Sequence, residues 1–232
     1  MAKAEFYSVK LLAKQMIARA VLALHFEKPQ GFVFQAGQFV QFKVPTADGA
    51  VVIRNFSLAA PPAAPDLEFC AKMIPGGKAS DWFTSLPVGE GAEISAARGV
   101  FVCSGKEERP KVLVATGVGL APIISILEDA VPRAPATPFR LLWGVRSAAD
   151  LFWPGRLPAL AERHQNFSFL ITLSQPAGNW GGERGRVTER LPGLITPGAD
   201  YYLCGSLAMV KEARSMILDQ GIALPRIKIE IF

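Results

Sequence analysis

The hydrophobic pattern of this chain changes period once, and that change restricts the fold more than any other feature. Up to about residue 102, short runs alternate apolar and polar residues, the period of a half-buried strand; Phe39-Val40-Gln41-Phe42-Lys43-Val44 is the clearest. Similar runs lie near 5–14, 16–26, 50–59, 67–73 and 92–102. Turn signals separate them at Pro29-Gln30-Gly31, Ala47-Asp48-Gly49, Pro61-Pro62 and Gly89-Glu90-Gly91. This spacing predicts an antiparallel sandwich or barrel, interrupted by one helical piece around 79–86 with Ser80 or a neighbour as its cap. After the polar stretch from Ser104 to Pro110, strand-like runs at 111–116, 139–144, 167–173, 200–204 and 226–231 alternate with helical ones at 121–130, 156–164 and 206–220. That alternation predicts a parallel sheet covered on both faces. The sequence therefore predicts two domains, a β-barrel over 1–105 and an α/β domain over 106–232.

Composition removes several classes. With 50% hydrophobic and 19% charged residues over 232 positions, disorder is not the main state. The net charge is +5 and no run of basic residues appears, so nothing resembles a nucleic-acid footprint. Cys70, Cys103 and Cys204 share no metal-ligand spacing, which argues against a disulfide scaffold, an iron–sulfur cluster or a metal site. The apolar run from Met16 to Leu24 is broken by Arg19 and does not read as a secretory signal. The uncharged run from Val112 to Leu127 is shorter than the ~20 residues of a spanning helix. The expectation is a cytoplasmic protein without a membrane span.

Three segments carry chemistry. In Lys111-Val-Leu-Val-Ala-Thr-Gly117-Val-Gly119-Leu-Ala-Pro122 a buried-type strand enters a tight Gly-x-Gly turn and then a helix. Glycines admit a phosphate close to the backbone, and a helix N-terminus offers free N–H groups and a positive dipole end. Pro122 suits a first helical turn. The third glycine of the Rossmann fingerprint is missing, and the run also suits an ordinary β–α turn. Arg54-Asn55-Phe56-Ser57-Leu58 offers a guanidinium for phosphate, a ring face for a ring cofactor and a hydroxyl donor; it also suits a plain strand with an exposed Arg. Pro75-Gly76-Gly77-Lys78-Ala79-Ser80-Asp81-Trp82 is a glycine-rich turn opening a short helix, with the same anion-site logic.

Taken in order, these segments resemble the ferredoxin–NADP reductase superfamily of FAD-dependent reductases. Phe34-Gln35-Ala36-Gly37-Gln38-Phe39 is similar to its "F-x-A/P-G-Q-Y/F", Arg54-x-Phe56-Ser57 to its flavin motif "R-x-Y/F-S", and Gly77-x-Ala79-Ser80 to its diphosphate turn. Gly99-Val100-Phe101 resembles the "G-x-F" that ends the flavin domain, and Thr116 to Pro122 resembles "T/G-G-x-G-x-A/T-P". Trp143-Gly144-Val145-Arg146 and Trp180-x-Gly182-x-x-Gly185-x-Val187 resemble stretches lining the nucleotide domain. Cys204-Gly205-Ser206-Leu207-Ala208-Met209-Val210 resembles "C-G-P-x-x-M-V", and Glu230-Ile231-Phe232 the plant-type "E-x-Y". Each piece is short, but their shared order spans nearly the whole chain.

The resemblance implies FAD and NADH or NADPH as cofactors and hydride transfer between them. It implies Arg54 on the flavin diphosphate, Phe56 against the ring system or ribityl chain, and Ser57 near flavin N5, with Asn55 beside them. Gly76, Gly77, Lys78, Ala79 and Ser80 would hold phosphate. Thr116, Gly117, Gly119, Pro122, Arg146, Gly205 and Met209 would line the nucleotide site, with Gly117 and Gly119 leaving room for the diphosphate. Cys204 would face nicotinamide, Glu230 would tune charge or relay a proton, and Phe232 would cover the flavin until nicotinamide displaces it. Phe56 lacks the hydroxyl of Tyr and Ala60 stands where many relatives have Ser, which weakens two flavin contacts. No cation lies in Ser174-Gln175-Pro176-Ala177-Gly178-Asn179-Trp180, which leans toward NADH, although Arg184 and Arg186 follow. Without cluster cysteines the electron acceptor is external: a ferredoxin, a flavodoxin or an oxygenase component. The alternatives are a reductase of free flavin, against which the Gly77–Ser80 turn argues, and a non-catalytic electron-relay or binding subunit with the same fold.

Overall fold

The computed structural model describes residues 6–103 and 108–232. In its first half, β1 (Phe6–Ala18), β2 (Val21–Glu27), β3 (Phe39–Pro45), β4 (Val51–Ser57) and β5 (Asp66–Lys72) precede α1 (Lys78–Ser85) and β6 (Gly91–Ser95). They form a six-stranded antiparallel sheet in the order β4-β3-β6-β1-β2-β5. Leu58 bridges to Phe69, so the chain leaving one edge strand meets the other and the sheet curls toward a barrel. Alternation explains the interior. Val40, Phe42 and Val44 of β3 all point inward, and the ring of Phe42 packs within 5.0–5.6 Å of Phe26, Phe56, Phe69 and Phe83. Burying such a ring contributes about 1.5–3 kcal/mol.

The second half runs β7 (Lys111–Thr116), α2 (Leu120–Arg133), β8 (Phe139–Val145), α3 (Arg156–Arg163), β9 (Phe167–Leu173), β10 (Glu183–Arg184), α4 (Val187–Arg190), β11 (Asp200–Gly205), α5 (Leu207–Asp219) and β12 (Ile227–Ile231). Its strands form a parallel sheet in the order β10-β9-β8-β7-β11-β12. On β7, Leu113 and Ala115 join the α2–α3 core while Val112 and Val114 join the α4–α5 core, so helices cover both faces. The chain proceeds outward from β7 through β8 and β9, then returns to the other side of β7 with β11. That reversal leaves a crevice at the carboxyl ends of β7 and β11, where open α/β sheets take their ligands.

The expected strands and helices are all present, with three local corrections. The runs near 5–14 and 16–26 divide later than expected: β1 continues to Ala18 and the turn falls at Arg19–Ala20, after a register irregularity between Met16 and Ala18. The run at 92–102 is strand only through Ser95, because Arg98 bridges back to Phe39 and Gly99 takes a φ of +103°. The cap of α1 is Gly77, without a side-chain bond; Ser80 Oγ instead accepts the Ile74 amide at 2.9 Å and ties the preceding loop. β10 and α4 are two and four residues long, too short for periodicity to announce. The expected boundary at 105/106 lies outside the described residues, between the last strand of one sheet and the first of the other.

The two halves pack together directly. Val21, Ala36, Ala59, Cys70 and Phe101 belong to the same buried cluster as α2 and the sheet behind it. A Cβ on Gly37 would come within 2.0 Å of the Phe101 carbonyl oxygen, so only glycine lets that loop seat.

Candidate active site

The reactive corner lies where the last residue of β4 meets β12. Ser57, 4% exposed, donates its hydroxyl to Glu230 Oε1 at 2.6 Å, a contact across the two sheets. Glu230 is the register partner of Cys204, so both sit at the carboxyl end of the parallel sheet. Burial pushes the Glu230 carboxyl above the usual carboxylate range, and the Ser57 bond offsets part of that. Burial, with Glu230 nearby, pushes the Cys204 thiol well above its ordinary value. Cys204 is fully buried, an environment that disfavours its thiolate form. Phe232 is tethered by its amide to the Gly205 carbonyl at 3.2 Å, while its side chain is half exposed.

A carboxyl raised by folding adds stability below its unfolded value, and that stability is lost as pH rises through the folded one. Glu230→Gln removes this dependence. Its melting temperature relative to the unaltered protein should therefore climb as pH rises above the ordinary carboxylate value of 4.5. A difference that is flat with pH would contradict the burial argument.

The turn after β7 is stitched to the turn after β11. Thr116 Oγ1 accepts the Ser206 amide at 3.3 Å, and a Cβ on Gly205 would lie 2.1 Å from that oxygen. Met209, on the first turns of α5, is buried with its Cε 3.0 Å from the same point, so it supports the turn from below. The two glycines differ in role. Gly117 takes a φ of +54° and a Cβ there would meet nothing within 4 Å, which leaves its backbone open to a ligand. Gly119 has an ordinary helical φ of −59°, but a Cβ would lie 2.3 Å from the Cys204 carbonyl oxygen. It is there for close packing of helix on strand. Pro122 is buried in the first turn of α2, and Arg146 is exposed just past β8. Trp143, buried on β8, donates its indole N–H to the Gly117 carbonyl at 3.1 Å.

The flavin-type motif splits across β4. Arg54 and Phe56 stand opposite Phe42 and Val40 and so share one face of the strand, whereas Asn55 and Ser57 stand opposite Gln41 and Phe39. Arg54 is exposed and donates Nη1 to the neighbouring Ile53 carbonyl at 2.8 Å, which leaves the rest of its donor fork for a ligand. Phe56 is half buried, edge-on to Phe42 and Phe83 at 5.6 and 5.1 Å. Asn55 Oδ1 accepts Gln41 Nε2 at 3.3 Å. Gly76 takes a φ of +70° over open space, and Lys78 is exposed at the start of α1 with Ala79 half buried behind it. An exposed guanidinium and two glycine turns with open backbone suit a dinucleotide flavin and a pyridine nucleotide. Sequence reasoning missed Ser125, Glu128, Glu68 and Arg156, which join the halves beside β4; their partners lie so far along the chain that no local pattern marks them.

A curled antiparallel sheet with an anion-type turn, set against a parallel sheet with its ligand crevice facing the same corner, defines a flavin- and nicotinamide-dependent oxidoreductase. Comparison with known proteins agrees. Residues 8–102 match the oxidoreductase FAD-binding domain and residues 113–215 the oxidoreductase NAD-binding domain. Ferredoxin–NADP reductase B of Sorangium cellulosum is 29% identical over 237 residues, covering 97% of this chain and 96% of that one. The toluate 1,2-dioxygenase electron transfer component of Pseudomonas putida is 30% identical over 223 residues, 95% of this chain but only 64% of that one. The crystal structure of the Amycolatopsis cytochrome P450 reductase GcoB superposes with a TM-score of 0.89 at 30% identity, covering all of this chain and 72% of that one. The chain belongs to the ferredoxin–NADP reductase superfamily and is an NAD(P)H-dependent, FAD-binding oxidoreductase. Among the described residues no helix is long and apolar enough to cross a membrane.

Proposed function

We propose that this chain draws electrons from NADH or NADPH and delivers them to a separate redox protein: a ferredoxin, a flavodoxin or an oxygenase component. The observation that carries the reading is the 2.6 Å Ser57–Glu230 bond, which joins the flavin strand to the nucleotide crevice at one point. When bound, FAD would supply the redox chemistry, hydride acceptance and onward release of electrons. The protein's residues orient and shield. Arg54 and the Gly76–Ser80 turn hold the flavin diphosphate, while Thr116, Gly117, Pro122, Arg146 and Gly205 form the nucleotide turns. Ser57 and Glu230 hold a hydroxyl proton between them where the two sheets meet, and the buried Cys204 would back the nicotinamide site without adding charge to it. We place the domain division at 105/106.

The ferredoxin and oxygenase acceptors are supported by what relatives are named for, a ferredoxin–NADP reductase and the electron carriers of a dioxygenase and a cytochrome P450; the flavodoxin rests on the family resemblance alone. The preference for NADH is supported by the cation-free loop 174–180 and by Arg184, whose Nη2 turns back to the Gly178 and Trp180 carbonyls at 3.4 and 3.2 Å. Cytoplasmic residence is supported by the free state of Cys70, Cys103 and Cys204.

The test is retention and relay. Protein loaded with FAD should keep it through gel filtration, oxidise NAD(P)H, and reduce an added ferredoxin or flavodoxin. Loss of flavin on the column with turnover of added FMN would favour the free-flavin reductase, and no NAD(P)H oxidation at all would favour a relay subunit. Phe232→Ser should lower KM for the nucleotide, because an aromatic stack of about 0.5–1.5 kcal/mol no longer competes for the site, roughly a 2- to 12-fold change. An unchanged KM would remove the covering role of Phe232.

A further inference from the structure

Arg156 opens α3 and its guanidinium spans both halves of the molecule. Nη1 donates to Glu68 Oε2 at 2.9 Å and Nη2 to the Ala59 carbonyl at 2.9 Å, both on the flavin side. Nε and Nη2 donate to the two carboxylate oxygens of Glu128, on α2, at 2.8 and 2.7 Å. Close by, the buried Ser125 of α2 donates its hydroxyl to the Ala60 carbonyl at 2.7 Å. Ala59 and Ala60 lie only two and three residues beyond Ser57. On its other side the same segment is fixed within the barrel, by the Leu58 amide on the Gln38 carbonyl and the Ala59 amide on the Glu68 carbonyl, at 2.9 and 2.8 Å.

A second feature points to the same guanidinium. Trp153 has a φ of +50°, the only positive value at a non-glycine among the described residues. A bulky side chain rarely adopts that region, and persists there only where its surroundings over-determine it. Here the conformation sets the indole under the Arg156 guanidinium, 4.4 Å from ring centroid to Cζ. Burial works against the charge of Arg156, but the bonds and charges of Glu128 and Glu68 outweigh it and hold the group above its ordinary value.

Resting on the reductase reading, we infer that Arg156 is a positioning residue: with Ser125 it fixes the register of the flavin strand against the nucleotide domain, and so keeps Ser57 within reach of Glu230. The planar fork is what the task needs, since one group must satisfy two carboxylates and a carbonyl at fixed angles. Lysine keeps the charge and loses the fork.

Hydrogen exchange and stopped-flow reduction of full-length, FAD-loaded protein test this. In Arg156→Lys, amide exchange across residues 56–60 should rise by about tenfold, as expected for local opening. Reduction of bound flavin at saturating nucleotide should slow by about tenfold with KM little changed, the mark of lost orientation rather than lost binding. That slowing should vanish in a Ser57→Ala background, because the clamp acts through Ser57. Ser125→Ala, which removes one bond and little volume, should show the same exchange change at smaller size. Unchanged exchange across 56–60 in both variants, or a rate loss that adds to that of Ser57→Ala, would overturn the inference. Failure of the unaltered protein to be reduced by either nucleotide would sink the functional reading, whereas exchange needs no turnover and judges the clamp alone.

Discussion

Replacing Gly119 by alanine is expected to lower both the stability and the turnover of this protein. The new Cβ would stand 2.3 Å from the Cys204 carbonyl oxygen and 2.7 Å from its carbon, and both are backbone atoms of β11, a strand paired on both sides. No side chain can swing aside, so helix α2 must lift from β11. Overpacking of this kind destabilises by about 1–3 kcal/mol, and a backbone clash belongs at or beyond the upper end. The lift also displaces the Cys204–Gly205 turn. A displacement of about 1 Å near reacting groups lowers turnover about a hundredfold. Gly117→Ala is the control: its φ of +54° makes alanine unfavourable by about 1–2 kcal/mol, but its surroundings are open. That variant should fold and show its defect in nucleotide KM. Chemical denaturation with steady-state kinetics separates the two, and a Gly119→Ala protein as stable and active as the unaltered one would refute the packing argument.

Arg54→Ala should empty the flavin site while leaving the fold intact. Arg54 is exposed and its bond to the Ile53 carbonyl is local, so its removal opens no cavity. A hydrogen bond to a charged phosphate is worth about 1.5–3 kcal/mol, which weakens FAD binding about 10- to 150-fold. Arg54→Lys keeps the charge but not the fork and should fall between. Equilibrium dialysis of FAD measures this. Normal flavin affinity in Arg54→Ala would remove the phosphate role from Arg54.

How far the sequence reveals such a molecule depends on the range of the interaction. Period-2 alternation in β3 and buried apolar runs in β7 and β8 are local, so both sheets and their longer helices are legible within a few residues, whereas β10 and α4 are not. The strand–Gly-x-Gly–helix segment located the nucleotide turn, but not that Gly117 is open and Gly119 packed, since the neighbour deciding it is Cys204. Ser57 and Glu230 were each singled out, yet their contact spans 173 positions and no spacing rule predicts it. The Arg156 cluster left no trace for the same reason. Its residues read as ordinary helix and strand charges until folding sets them beside Ala59.

If a flavin held by the first half takes hydride from a nicotinamide held by the second, rapid mixing of FAD-loaded protein with NADH, NADPH and NADH deuterated at the transferred position, without oxygen, will show it. The flavin's visible absorbance should be lost within one turnover, faster with NADH than with NADPH, and more slowly with the deuterated nucleotide. An absorbance that stays unchanged under saturating amounts of both nucleotides would mean that no hydride passes between the two halves.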